Sequence, residues 1–125
     1  MAEPPIVDRV APETYGAFMV SQITQGTNLE EILGLDLITV AGNTRTEIHR
    51  HPNAENVIYI LSGWATALID HREHVVHAGD RVRIGKGVYH GFRTGDESLV
   101  FVSVQSPPIL NKRMNHLDTE VLAEG

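Results

Sequence analysis

Residues 47–61 read EIHRHPNAENVIYIL, and the division of this stretch decides the fold. In a strand, residues i and i+2 share a face, so His49 and His51 project side by side. Pro52 has no N–H to donate and ends the pairing there. Pro52-Asn53-Ala54 then supplies a turn or kink. Glu55 opens ENVIYIL, a run of β-branched and aromatic residues typical of a strand. Two imidazoles and a carboxylate thus meet at the edge of an apolar β-run.

The same texture extends outward in both directions. Short β-type runs occur at 16–23, 35–41, 44–49, 64–70, 74–77, 81–84, 89–94 and 98–105. Turn residues separate them: Gly42-Asn43, Ser62-Gly63, Ala78-Gly79-Asp80, Gly85-Lys86-Gly87 and Gly95-Asp96. Many short strands at regular spacing predict an all-β sandwich or barrel. Pro4, Pro5 and Pro12 exclude a regular helix near the start, so residues 1–14 read as an arm. Helical character is expected only in the tail after Pro107-Pro108 and as one turn over 28–33.

The chain's 125 residues point to a single domain, large enough to bury a core without staples. There is no cysteine, so any metal site must use nitrogen and oxygen ligands. A net charge of −6 argues against a general nucleic-acid binder. No run approaches the roughly 18 apolar residues needed to span a bilayer, and residues 1–30 lack the pattern of a secretory leader. A cytoplasmic protein acting on a small molecule, with no nucleic-acid or membrane partner, is expected.

His49, His51 and Glu55 offer the mixed nitrogen and oxygen donors that suit a borderline divalent cation. Further along, AGDRVRIGKGVYHGF (78–92) carries two Gly turns and then His90, which can enter from another strand. Histidines in strands are also commonly structural, hydrogen-bonded or on the surface. The residues by themselves leave both readings open.

Taken together, these segments resemble the two signature motifs of the cupin superfamily. The first is usually G-x5-H-x-H-x(3,4)-E-x6-G and reads here through Gly42, His49, His51, Glu55 and Gly63. The leading glycine is one residue too far away and the closing glycine one residue late. The second is usually G-x5-P-x-G-x2-H-x3-N and reads here Gly79, Gly85, Gly87, His90 and Thr94. Glycine stands for the proline and threonine for the asparagine.

The resemblance implies a small jelly-roll barrel, one cupin domain over 1–125. Its parts would be an arm and first strand over 1–25, a barrel core over 35–105 and a tail over 106–125. It further implies that His49, His51, Glu55 and His90 hold one divalent transition metal. Iron or manganese is preferred if the protein uses oxygen, with nickel, cobalt, zinc and copper also accepted. The implied activity is oxygen-dependent oxidation or cleavage of a small enol, diketone or phenol, of dioxygenase type. Metal-assisted isomerase or lyase chemistry, or ligand binding around a structural metal, are the alternatives. A homodimer is implied as well.

Strand parity places Arg45 and Glu47 on the face of His49, and puts Val57, Tyr59 and Leu61 with Glu55. Glu47 and Tyr59 are therefore candidate acid–base groups; the alternative is a solvated glutamate and a core tyrosine. His71, His74 and His77 read as a solvated hairpin. No phosphate loop or nucleophile elbow is present.

Overall fold

The computed structural model describes residues 4–112 and 116–122, with no side-chain description at Asn111. Thirteen strands appear among them and no helix. They are β1 (Glu13–Tyr15), β2 (Phe18–Gln22), β3 (Gly34–Val40), β4 (His49–Arg50), β5 (Glu55–Ser62), β6 (Trp64–Ile69) and β7 (Arg72–His77). The series continues with β8 (Arg81–Ile84), β9 (His90–Thr94), β10 (Leu99–Ser106), β11 (Leu110–Asn111), β12 (His116–Leu117) and β13 (Glu120–Val121).

Two antiparallel sheets face each other in a jelly roll. One runs β1-β2-β3-β10-β5-β8, the other β13-β4-β9-β6-β7, and β11 pairs with β12 alone. Sequence runs and strands agree closely at β3, β5, β6, β8, β9 and β10. The run expected over 44–49 is mostly irregular, and only β4 at its end pairs as a strand. A single isolated bridge, Arg45 to Arg93, holds its middle. Residues 28–33 form hydrogen-bonded turns, among them Leu33 N–H to the Leu29 carbonyl at 3.1 Å.

One end of the space between the sheets is a packed apolar core. Val40, Ile58, Ile60, Ala65, Ala67, Val82, Leu99, Phe92 and Phe101 are all buried there. Phe92 and Phe101 meet across the sheets with ring centroids 5.2 Å apart. The other end is polar and open. On the inner face of the larger sheet lie Gln22, Asp36, Asn56, Ser103 and Gln105, all buried.

Gly63 makes the β5–β6 corner possible. Its φ is +80°, and a Cβ there would lie 2.1 Å from the Ser98 carbonyl oxygen. The β6–β7 hairpin turns at Asp70 and His71, both at positive φ, as a tight hairpin turn requires. His71, His74 and His77 are exposed on it.

The described residues after Pro108 form three short strands, β11 to β13, in place of the expected helical tail, because their backbone groups pair across strands. β13 pairs with β4, Glu120 opposite Arg50 and Val121 opposite His49. The Leu122 N–H donates to the Ile48 carbonyl at 2.8 Å. The end of the described chain thereby closes over the polar end of the barrel.

Candidate metal centre

His49 ends the irregular stretch after β3 and pairs directly with His90 on β9. His51 follows β4 at the same parity. All three side chains are buried. Their ring centroids lie 5.0 Å apart for His49–His51, 4.4 Å for His49–His90 and 5.0 Å for His51–His90. One nitrogen from each can be chosen so that all lie within 4.8 Å of one another.

The other ring nitrogen of each is already engaged. His49 Nδ1 lies 3.0 Å from the Glu47 carbonyl oxygen. His51 Nδ1 lies 2.7 Å from that of Asp118, and His90 Nδ1 2.9 Å from that of Val88. A carbonyl oxygen only accepts, so each Nδ1 carries the proton and each Nε2 keeps its lone pair. This outer-shell arrangement fixes tautomer and ring orientation at metal sites. Burial holds all three imidazoles below the usual histidine range, His90 down to about 3. Near neutral pH the cluster is therefore three neutral donors. It fits a divalent cation without further adjustment of protonation.

Glu55, the expected fourth ligand, is outside this group. It is exposed at the start of β5, where the inward and outward residues alternate as Glu55 out, Asn56 in, Val57 out, Ile58 in. A strand's parity is all-or-none. The turn over 52–54 delivers β5 one residue out of phase with the Glu55 expectation, and Asn56 occupies the inner position. Tyr59 shares the outer face and is 48% exposed, so it cannot reach the cavity. Glu47 is exposed at the rim and lines the cavity mouth.

The histidines open into a cavity of about 350 Å³. Phe18, Val20, Ile38 and Phe101 provide apolar walls, and Leu110, Leu117 and Val121 approach from the C-terminal strands. Phe18 meets His49 edge-on at 5.5 Å between centroids. Opposite the histidines runs a hydrogen-bonded polar row. Gln105 Nε2 donates to Asp36 Oδ2 at 2.8 Å and to Ser103 Oγ at 2.9 Å. Ser103 Oγ donates to Asn56 Oδ1 at 2.8 Å. Burial pushes the Asp36 carboxyl above the usual aspartate range, against the opposing pull of the Gln105 amide.

Sequence reading missed Asp36, Asn56, Ser103 and Gln105. Their signal was a polar residue at every inward position near one end of otherwise apolar strands. Asp118 was missed too, because it acts from outside the motifs.

Residues 36–105 match the family model of the Cupin domain. The chain belongs to the cupin family. Protein SchB of Streptomyces halstedii is 30% identical over 87 residues, 69% of this chain and 63% of that protein. The chain thus spans less than two thirds of the length of this curated relative. Among solved structures, Streptomyces PAC13 with uridine superposes with a TM-score of 0.73 at 13% identity, covering 98% of this chain and 92% of that one. A predicted oxalate decarboxylase of Thermotoga maritima superposes at 0.71 with 17% identity, covering 80% and 97%. These two likenesses carry the fold alone.

Proposed function

We propose that this chain is a metal-dependent enzyme acting on a small, largely apolar organic molecule that bears a carbonyl or enol oxygen. The observation that supports it is the common tautomer of the three histidines, each with Nδ1–H on a main-chain carbonyl. Three neutral imidazoles leave a bound cation its full double charge, which suits polarising a substrate oxygen. His49, His51 and His90 would hold the ion through Nε2. Phe18, Ile38 and Phe101 exclude water and pack the apolar part of the substrate. The polar row on the opposite wall orients what is left. Isomerase or lyase chemistry is the leading form, since the donor set is uncharged and a buried carboxyl faces the same cavity.

Oxygen-dependent oxidation of dioxygenase type is the second reading. It is favoured by a ligand set of only three side chains, which leaves several positions of an octahedral iron or manganese ion open. A three-histidine set equally suits zinc, with one open position.

We also infer a homodimer. The outer face of the larger sheet carries two apolar rows, Leu37–Val102–Tyr59 and Leu35–Val104–Val57, aligned by strand register. Val57, Tyr59 and Val104 are exposed on it.

The test is elemental analysis of untagged protein, then turnover of a panel of diketones, enols and phenols with oxygen consumption followed in parallel. About one equivalent of metal and turnover that His51→Ala abolishes are expected. Turnover without oxygen uptake selects the leading reading, and stoichiometric uptake selects the second. Full activity in metal-free His51→Ala sinks both.

A further inference from the structure

Asp36 lies on β3, directly opposite Ser103 on β10 and Gln22 on β2. It is 7% exposed and lines the same cavity as the three histidines. Only its Oδ2 receives a side-chain hydrogen bond among the described residues, from Gln105. Gln105 is itself fixed, because its Oε1 accepts from the Ile109 N–H at 3.2 Å. Ser103 donates onward to Asn56, so the row holds the carboxyl in one orientation. Among the described residues, neither a lysine nor an arginine lines this cavity. The side chains around Asp36 are amides and a hydroxyl.

A buried carboxyl with no cationic partner has one common use in a cavity with a polarising group opposite. It takes and returns protons. We propose that Asp36 is the proton acceptor of the site, removing the acidic proton of an enol, phenol or carbon acid held between the polar row and the histidines. This rests on the reading of the cavity as a metal-dependent active site.

The step balances without oxidant or reductant. The substrate's O–H, or the C–H beside its carbonyl, breaks. The electron pair stays on the substrate as a delocalised enolate whose oxygen faces the histidine wall. The proton forms an O–H bond with the Asp36 carboxylate. Its return to a different carbon gives an isomer, and its return to the same carbon gives exchange.

Burial raises the Asp36 carboxyl towards the range where it can hold such a proton. The buried acceptor Gln22 Oε1, which has no hydrogen-bond partner among the described residues, belongs to the residue paired with Asp36 across β2. Among the described residues, the other ionisable groups lining the cavity are Tyr15, Glu47 and the three histidines. Burial and the Glu13 carboxylate raise Tyr15 further above neutrality.

Asp36→Asn keeps an oxygen that can accept from Gln105 and removes the proton site. Zinc-loaded wild type and Asp36→Asn are titrated with acetylacetone, a chelating enol, near pH 7 in two buffers of different ionisation enthalpy. The buffer dependence of the heat counts protons released per molecule bound. Close to zero is expected for wild type and close to one for Asp36→Asn. Glu97→Gln changes an exposed carboxylate outside the cavity and should behave as wild type. Equal release from wild type and Asp36→Asn overturns the proposal, and so does failure of acetylacetone to bind the zinc-loaded wild type. If zinc itself does not bind, the metal reading fails separately. The Asp36 carboxyl, followed by ¹³C NMR in metal-free protein, then still decides: titration in the range of an exposed aspartate overturns the role.

Discussion

His51 Nδ1 lies 2.7 Å from the main-chain carbonyl of Asp118, 67 residues further along the chain. Asp118 is anchored in turn: its carboxylate accepts from Asn53 N–H at 3.0 Å and from Asn53 Nδ2 at 2.9 Å. The end of the described chain therefore sets the tautomer of a histidine in the cluster. Asp118→Ala releases that anchor. Metal affinity should fall roughly 10- to 100-fold, the usual cost of losing an outer-shell contact, measured by competition with a chromogenic chelator. Unchanged affinity would show that β13 alone holds the carbonyl.

The outward position of Glu55 separates a three-ligand from a four-ligand centre. Glu55→Ala should leave metal content at about one equivalent and shift the melting temperature little, as exposed substitutions usually do. His90→Ala should abolish metal binding while the far-ultraviolet dichroism of the barrel persists. Loss of metal in Glu55→Ala would restore the glutamate as a ligand.

Acid should unfold the metal-free protein through its histidines. Each is held below the ordinary histidine value of 6.5 by burial, His90 at about 3. Below pH 6.5 the unfolded chain binds protons that the folded chain refuses, so stability falls as pH drops from 6.5 towards 3. Each such histidine contributes a slope of about 1.4 kcal/mol per pH unit. Asp36 works in the opposite direction: its raised carboxyl loses stability as pH rises above its unfolded value of 3.8. Denaturant titrations at stepped pH should show the His90→Gln slope reduced by about 1.4 kcal/mol per unit. An unchanged slope would assign the acid sensitivity elsewhere.

Tyr59 and Val104 sit in the apolar rows of the outer sheet face, far from the cavity. If this face joins two copies, sedimentation should give twice the 13.8 kDa chain mass. Tyr59→Arg should return it to the single-chain mass with metal content intact. A monomeric wild type would remove the dimer.

Gly63 tests the barrel corner. Gly63→Ala must place a Cβ against the Ser98 carbonyl at a positive φ, a strain of about 1–3 kcal/mol before any shift of the backbone. Thermal melting should show a clear loss. Wild-type stability would mean the corner relaxes freely.

The alternation of β-branched residues and Gly turns made the strands legible, because a strand's period and its breakers are local properties. The spacing of His49, His51 and His90 was legible for the same reason. The inward phase of β5 was not. It depends on how the chain crosses residues 52–54, and one residue there exchanges Glu55 for Asn56 and sends Tyr59 outward. Asp36, Ser103 and Gln105 were hidden because a polar residue in a strand looks solvated until the opposing sheet covers it.

Near-neighbour chemistry along the chain is enough to specify an all-β protein with three imidazoles at family spacing. Folding in three dimensions put Glu55 outside, turned Asp36 towards the cavity of the histidines and brought Asp118 to His51. Each of those is a contact between residues distant in the chain, set by strand register and closure of the two sheets.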